Sequence, residues 1–191
     1  MTELRADARR NREELLEVAR QVIREQGVDA SLRDIARRAG VGIATLYRHF
    51  PTRDDLIAAI VGDGMRRMQI RATELSATKP SGEALNEWLA DVTTRIGPYQ
   101  GLPAAMLDAL VSDGSPLSVP CADMMNSGHV LLSRAQADGV IRPDVTWPDV
   151  FTAVAAISGI ATRSGPETSS RILSVYLDGL RTASASSPDS R

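Results

Sequence analysis

An all-α fold is predicted on three grounds: apolar residues recur at helical spacing, alternating runs of β-branched residues are missing, and aromatic residues make up only 4% of the chain. About nine helices account for the pattern. The first spans 9–26, with Leu15, Val18, Ala19, Val22 and Ile23 on one face and Gly27 as its stop. The second opens with Ser31 as N-cap and Asp34 three residues on in a capping-box-like arrangement; it buries Ile35 and Ala39 and ends at Gly40. A short third helix, 42–49, is closed off by Phe50-Pro51. Thr52 caps a fourth, expected to reach Ser76, with Asp54 and Asp55 set against the positive end of its dipole. Lys79-Pro80-Ser81-Gly82 is a break. Further helices are expected near 83–97, 103–113, 117–138, 148–163 and 167–183, with Pro103, Pro116, Pro143 and Pro148 at their edges. Residues 184–191, rich in Ser, Ala and Asp, read as a flexible tail.

Composition narrows the function. With 191 residues, 43% hydrophobic and 24% charged, the chain has ordinary globular make-up. Its longest stretch without a charged residue, Val150 to Thr162, has 13 positions. A bilayer-spanning helix needs about 20 apolar residues, so none is expected to cross a membrane. The N-terminal residues mix charges of both signs with no apolar run, which argues against a secretory signal and for a cytoplasmic protein. Cys121 is the single cysteine, and His49 and His129 are the two histidines, 80 positions apart. Cys121 and His129 would not converge on a metal from one helix, so no metal and no cofactor is expected. Neither a P-loop, G-x-S-x-G, H-E-x-x-H nor a dinucleotide fingerprint is present. Charge is unevenly spread. Residues 1–53 carry 11 Arg against 8 acidic residues, a balance of +3 within a chain of net charge −2. A basic front end on an acidic body points to a polyanion-binding module.

The informative stretch runs from Ser31 to Arg53. Two short helices are joined at Ala39-Gly40-Val41, where glycine can take the left-handed conformation and valine turns inward to seal the corner. Ile35, Ala36, Val41, Leu46 and Phe50 are spaced to share one small core with the first helix. This is a helix-turn-helix. The run Gly40-Val41-Gly42-Ile43-Ala44-Thr45-Leu46-Tyr47-Arg48-His49-Phe50-Pro51-Thr52-Arg53-Asp54-Asp55-Leu56 resembles the signature of the TetR family of bacterial transcriptional regulators almost position by position. The resemblance covers Leu15 to Ile60, and Pro103 to Ala161 is more faintly similar to the SbtR-like subgroup of that family.

The resemblance implies that the third helix lies in the DNA major groove, with Thr45, Tyr47, His49 and Arg53 on phosphates and Arg33 within reach of a base edge. A guanidinium matches guanine O6 and N7. Gly42, Ile43 and Ala44 stand at the family's other base-facing positions but carry no side-chain donor or acceptor, so readout there rests on thymine methyls, backbone approach and DNA shape. Relatives often have a polar, helix-capping residue where this chain has Gly42. Two of these residues have competing roles: Tyr47 as a purely core ring and His49 as a helix C-terminal cap. Arg9, Arg10 and Arg12 fit a solvated face as well as a phosphate contact.

The resemblance also implies a division into a DNA-binding part, 1–53, and an effector-binding and dimerisation part, 54–183. Met65, Met68, Trp88, Met106, Leu110, Met124, Met125 and His129 fall on helices that would surround an effector cavity, although each also suits plain core packing. Their character points to a small apolar or amphipathic effector. The last two helices would pair with a second copy through Ala155, Ser158, Gly159, Leu173, Tyr176, Leu177 and Leu180. The same residues could instead be intramolecular core. Gly62 and Gly64 lie inside the fourth helix, where each costs about 1 kcal/mol relative to Ala. Either they soften the connection between the two parts or they permit close packing. The implied function is that of a homodimeric repressor on a palindromic operator, released by a small molecule. The rival is an all-α binding protein or enzyme that keeps the helix-turn-helix as scaffold.

Overall fold

Local signals place every helix, and packing then bundles them. The computed structural model describes residues 2–112 and 114–182, with side chains outside 2–9 and 161–163. Residues 184–191 lie outside the described residues. Among those described, the helices are α1 (Thr2–Gln26), α2 (Leu32–Arg38), α3 (Ile43–His49), α4 (Arg53–Thr78), α5 (Ser81–Ile96), α6 (Leu102–Val111), α7 (Ser118–Ala137), α8 (Trp147–Ser164) and α9 (Pro166–Gly179). The first begins seven residues before the expected start at Arg9, because the charged turns ahead of it are themselves good helix formers.

The turn between α2 and α3 follows from Gly40 at φ 68°. Its N–H donates to the Arg37 carbonyl (3.2 Å) and the Val41 N–H donates to the Ala36 carbonyl (3.0 Å). These two bonds are a Schellman closure, which satisfies the last carbonyls of α2 and needs a residue free to sit at positive φ. At the front of α2 the expected box is only half formed. The Ser31 hydroxyl accepts from the Asp34 N–H (3.4 Å), but the Asp34 carboxylate turns away to Gln26, Arg37 and Arg38. Hydrogen bonding to Arg37 foremost, then Gln26, holds that carboxyl below its usual range. Arg38 reaches on to Glu25 at 2.7 Å, so α2 is tied to the end of α1. Thr52 and Asp55, in contrast, form a complete capping box on α4.

α1, α2 and α3 enclose the core: Leu15, Ala19, Val22, Ile35, Ala36, Leu46 and Phe50 are buried, whereas Ala39 and Val41, also expected inside, are half-buried against it at the corner. α4 runs unbroken out of this head into the body. There α4, α5 and α7 pack on one another, α6 lies on α7, and α8 packs against α5 and α9. Gly128 lets the outer edge of the Trp147 indole approach α7, for a Cβ there would fall 2.0 Å from it. The buried Ser169 hydroxyl donates to the Ile157 carbonyl (3.0 Å) and fastens α9 to α8.

The final helix stops four residues before the expected 183. Past Gly179 the chain straightens and pairs with 140–142: the Arg142 N–H donates to Leu180 O (3.0 Å) and the Thr182 N–H to Val140 O (3.1 Å). This isolated antiparallel bridge, Ile141 with Arg181, is the one extended pairing among the described residues. No described helix is long and apolar enough to cross a membrane.

Candidate nucleic-acid interface

α3 has seven residues and two distinct sides. Leu46 and Phe50 face the core, whereas Ala44, Tyr47 and Arg48, three and four positions apart, face solvent, with Tyr47 48% exposed. Ile43, Thr45 and His49 lie half-buried on the flanks. Tyr47 is therefore no core ring. The His49 and Phe50 rings stand 6.3 Å apart at a 48° tilt.

The arginines of the head divide by partner. Arg37 and Arg38 are committed to Asp34 and Glu25. Arg33, exposed near the front of α2, and Arg48, exposed on α3, have no carboxylate partner among the described residues. Arg48 was not singled out from the sequence, although its place one turn after Ala44 is a signal that could have found it. Arg53 has a second employment: its Nη1 donates to both the Val28 and Ala30 carbonyls at 2.7 Å, so it braces the loop between α1 and α2. Arg12 lies 5.1 Å over the Phe50 ring, with its charge held beside α3.

Gly42 caps α3 in extended conformation, φ −68° and ψ 146°, without a side-chain bond. A Cβ at that position meets nothing within 4 Å. Gly42→Ser is therefore expected to stabilise the protein by a few tenths of a kcal/mol (about 0.2–0.5) through the missing cap bond. The check is the urea midpoint of the variant against the parent; a fall in midpoint contradicts it.

The body carries a cavity of about 340 Å³ beneath the head. Ile60, Met65, Met68, Val92, Leu102 and Met124 form its apolar lining, and Arg20, Arg24, Arg67 and Arg95 its cationic one. Of the residues proposed from sequence, Met65, Met68 and Met124 are brought together here. Trp88 is core, its Nε1 donating to the Met68 carbonyl (2.9 Å) and its ring 6.0 Å from that of Trp147. Met106 is buried and Met125 half-buried against the core, while Leu110 and His129 are exposed and outside the cavity lining. Cys121 is buried, and burial first, then the Asp54 charge, pushes its thiol up to about 11. No group of three His, Cys, Asp or Glu that could hold a metal ion occurs among the described residues.

Head and body touch at more than α4. The Val28 N–H donates to the Gln100 carbonyl (2.9 Å) and Arg24 lies 5.5 Å over the Tyr99 ring, while the Ser115 hydroxyl donates to Asp54 at the start of α4 (2.8 Å). On the far side, Ser158, Leu173, Leu177 and Leu180 are buried within the chain. Ala155 and Tyr176 are half-buried and Gly159 exposed. The outward apolar residues of α9 are Ile172 and Val175, the latter 69% exposed. A stripe spaced 173, 177 and 180 turns inward, and Ile172 and Val175, rotated away from it by about 100° or more, turn out.

Comparison with known proteins agrees with this geometry. Residues 15–60 match the model of bacterial regulatory proteins of the tetR family, and residues 80–182 match the model of the SbtR-like transcriptional regulator C-terminal domain. A TetR transcriptional regulator from Streptomyces coelicolor is 34% identical, covering 91% of this chain and 99% of that one, with a TM-score of 0.61. A TetR regulatory protein from Mycobacterium vanbaalenii is 35% identical over 94% of this chain and 99% of that one, with a TM-score of 0.51. An HTH-type transcriptional regulator from Staphylococcus aureus is 39% identical over 59 residues, which are 30% of this chain; the match spans 32% of that relative's length.

Proposed function

The chain belongs to the TetR family of bacterial transcriptional regulators, and on that premise we propose that it is a cytoplasmic homodimeric repressor, bound to a palindromic operator and released by a small effector. In this reading residues 1–53 engage DNA, and 54–183 hold the effector and the second copy. The observation that carries it is the exposed side of α3: Ala44, Tyr47 and Arg48 are free to meet a duplex while Leu46 and Phe50 complete the core without them. Arg33 supplies a guanidinium for a guanine edge. Thr45, Tyr47, His49 and Arg48 are suited to phosphates. Arg53 has one guanidinium nitrogen occupied by loop carbonyls and keeps its remaining N–H groups for the backbone. Gly42, Ile43 and Ala44 bring α3 close to thymine methyls.

Two half-sites about 34–36 Å apart require two heads, and the outward residues of α8 and α9 are the surface for pairing. Ile172, Val175, Tyr176, Ala155 and Gly159 support such a face. Release requires that the effector bind the DNA-incompetent arrangement more tightly, since equal affinity shifts nothing. The cavity between head and body is where that difference would be read out.

The test is binding to duplex fragments selected from genomic DNA, followed across salt. Affinity is expected to fall with a log–log slope of about −0.9 per phosphate contacted. Arg33→Ala is expected to cost about 1–3 kcal/mol and to relax preference at one position per half-site, whereas Arg48→Ala is expected to flatten the salt slope without changing the preferred sequence. Absence of salt-dependent binding to any duplex would instead favour the scaffold reading.

A further inference from the structure

We infer that the cavity beneath the head is a site for an anionic amphipath, a short apolar chain ending in a carboxylate or phosphate, and that this is the effector class. The inference rests on the effector reading above and adds the ligand's charge, bulk and position.

The charge follows from how the arginines are partnered. Arg20, Arg24, Arg67 and Arg95 come from three helices and line one cavity. Arg20 pairs with Glu17, and Arg24 lies over the Tyr99 ring. Arg67 and Arg95 have no carboxylate partner among the described residues, and both are exposed at the rim. Asp63, the single acidic residue of the lining, pairs with Arg66, and Glu87 and Asp91 on α5 pair with Arg71. The cavity thus keeps an excess of positive charge over an apolar floor of Ile60, Met65, Met68, Val92, Leu102 and Met124. Guanidinium groups left without a counter-ion beside low-dielectric walls favour an anion, and carboxylate or phosphate oxygens match their forked donors. The methionines can adapt to a chain of varying length.

Bulk follows from volume. A cavity of about 340 Å³ stands at the small end of ligand pockets, roughly 300–1,000 Å³, which suits a short chain with its head group. Position then links occupancy to DNA. The walls include Arg20 and Arg24 of the head, Gly64 of α4, and Pro98 and Tyr99 of the segment that holds Val28 through Gln100. An anion drawing α1 toward α5 and α4 bears directly on the joint between head and body.

The experiment uses the full chain without DNA and measures binding of octanoate, octyl phosphate and octanol by calorimetry and thermal shift. At least one anion is expected to bind ten-fold or more tighter than octanol, and which of them prevails identifies the head group. In Arg67→Gln/Arg95→Gln that preference is expected to collapse while octanol binding persists, which also reports a folded cavity. Equal affinity for octanol and both anions, no binding of either anion, or an anion preference unchanged in the double variant overturns the inference. Because no DNA is present, these outcomes leave the reading of α3 untouched, and failure of duplex binding in the salt titration leaves this site untouched.

Discussion

Phe50→Ala is expected to destabilise the protein by about 3–5 kcal/mol and to abolish binding to duplex DNA. The ring is 1% exposed, ends α3, and fills the space between α1 and α3 together with Leu46. Arg12 also lies over it at 5.1 Å, so truncation removes that cation's seat along with the packing. The head's core is small and has few large residues, so one lost ring is a large share of it and cannot be refilled by neighbours. A urea denaturation followed by helical signal, paired with duplex binding at low salt, reads both effects. A loss below 1 kcal/mol with DNA binding intact would mean that α3 is held by something other than this core.

Replacing Gly62 and Gly64 by Ala is expected to raise stability by about 2 kcal/mol, a rise of roughly 4–8 °C in Tm, while weakening the effector's hold over DNA. Both glycines lie within the unbroken α4. Close packing does not explain them, because a Cβ at Gly64 meets nothing within 4 Å and one at Gly62 meets only the tip of Arg66 at 3.8 Å. A residue that costs stability, relieves no clash and takes no left-handed conformation is most simply retained for compliance, at the point where α4 leaves the head. Gly64 lines the cavity and Gly62 does not, so Gly62→Ala alone separates stiffening from filling. The quantity to compare is the ratio of operator affinities with and without octanoate or octyl phosphate. An unchanged ratio in Gly62→Ala removes the hinge.

Much of the architecture was legible in advance, and the reason is local. Ser31, Gly40, Thr52 and the prolines act on backbone groups within a few residues of themselves, so helix ends follow from short windows of sequence. The exposed side of α3 was legible for the same reason: Leu46 and Phe50 turn one side to the core, and the spacing then presents Ala44 and Tyr47. The half-formed box at Ser31 escaped because Asp34 has competing partners, Gln26 of α1 and two arginines, that a local rule does not weigh. His129 and Leu110 share helices with cavity or core residues, yet their angular positions carry them to the surface.

By itself, then, the amino-acid order determined the helices, their caps, the left-handed corner at Gly40 and the motif that identifies the family. Only the tertiary structure decided that Gly128 makes room for Trp147, that Leu173, Leu177 and Leu180 belong to the chain's own interior, and that arginines from positions 20 to 95 meet around one cavity. Hydrogen bonds and helical spacing operate over a turn or two, whereas a site assembled from three helices exists only once burial of their apolar faces has fixed how each is rotated against the others.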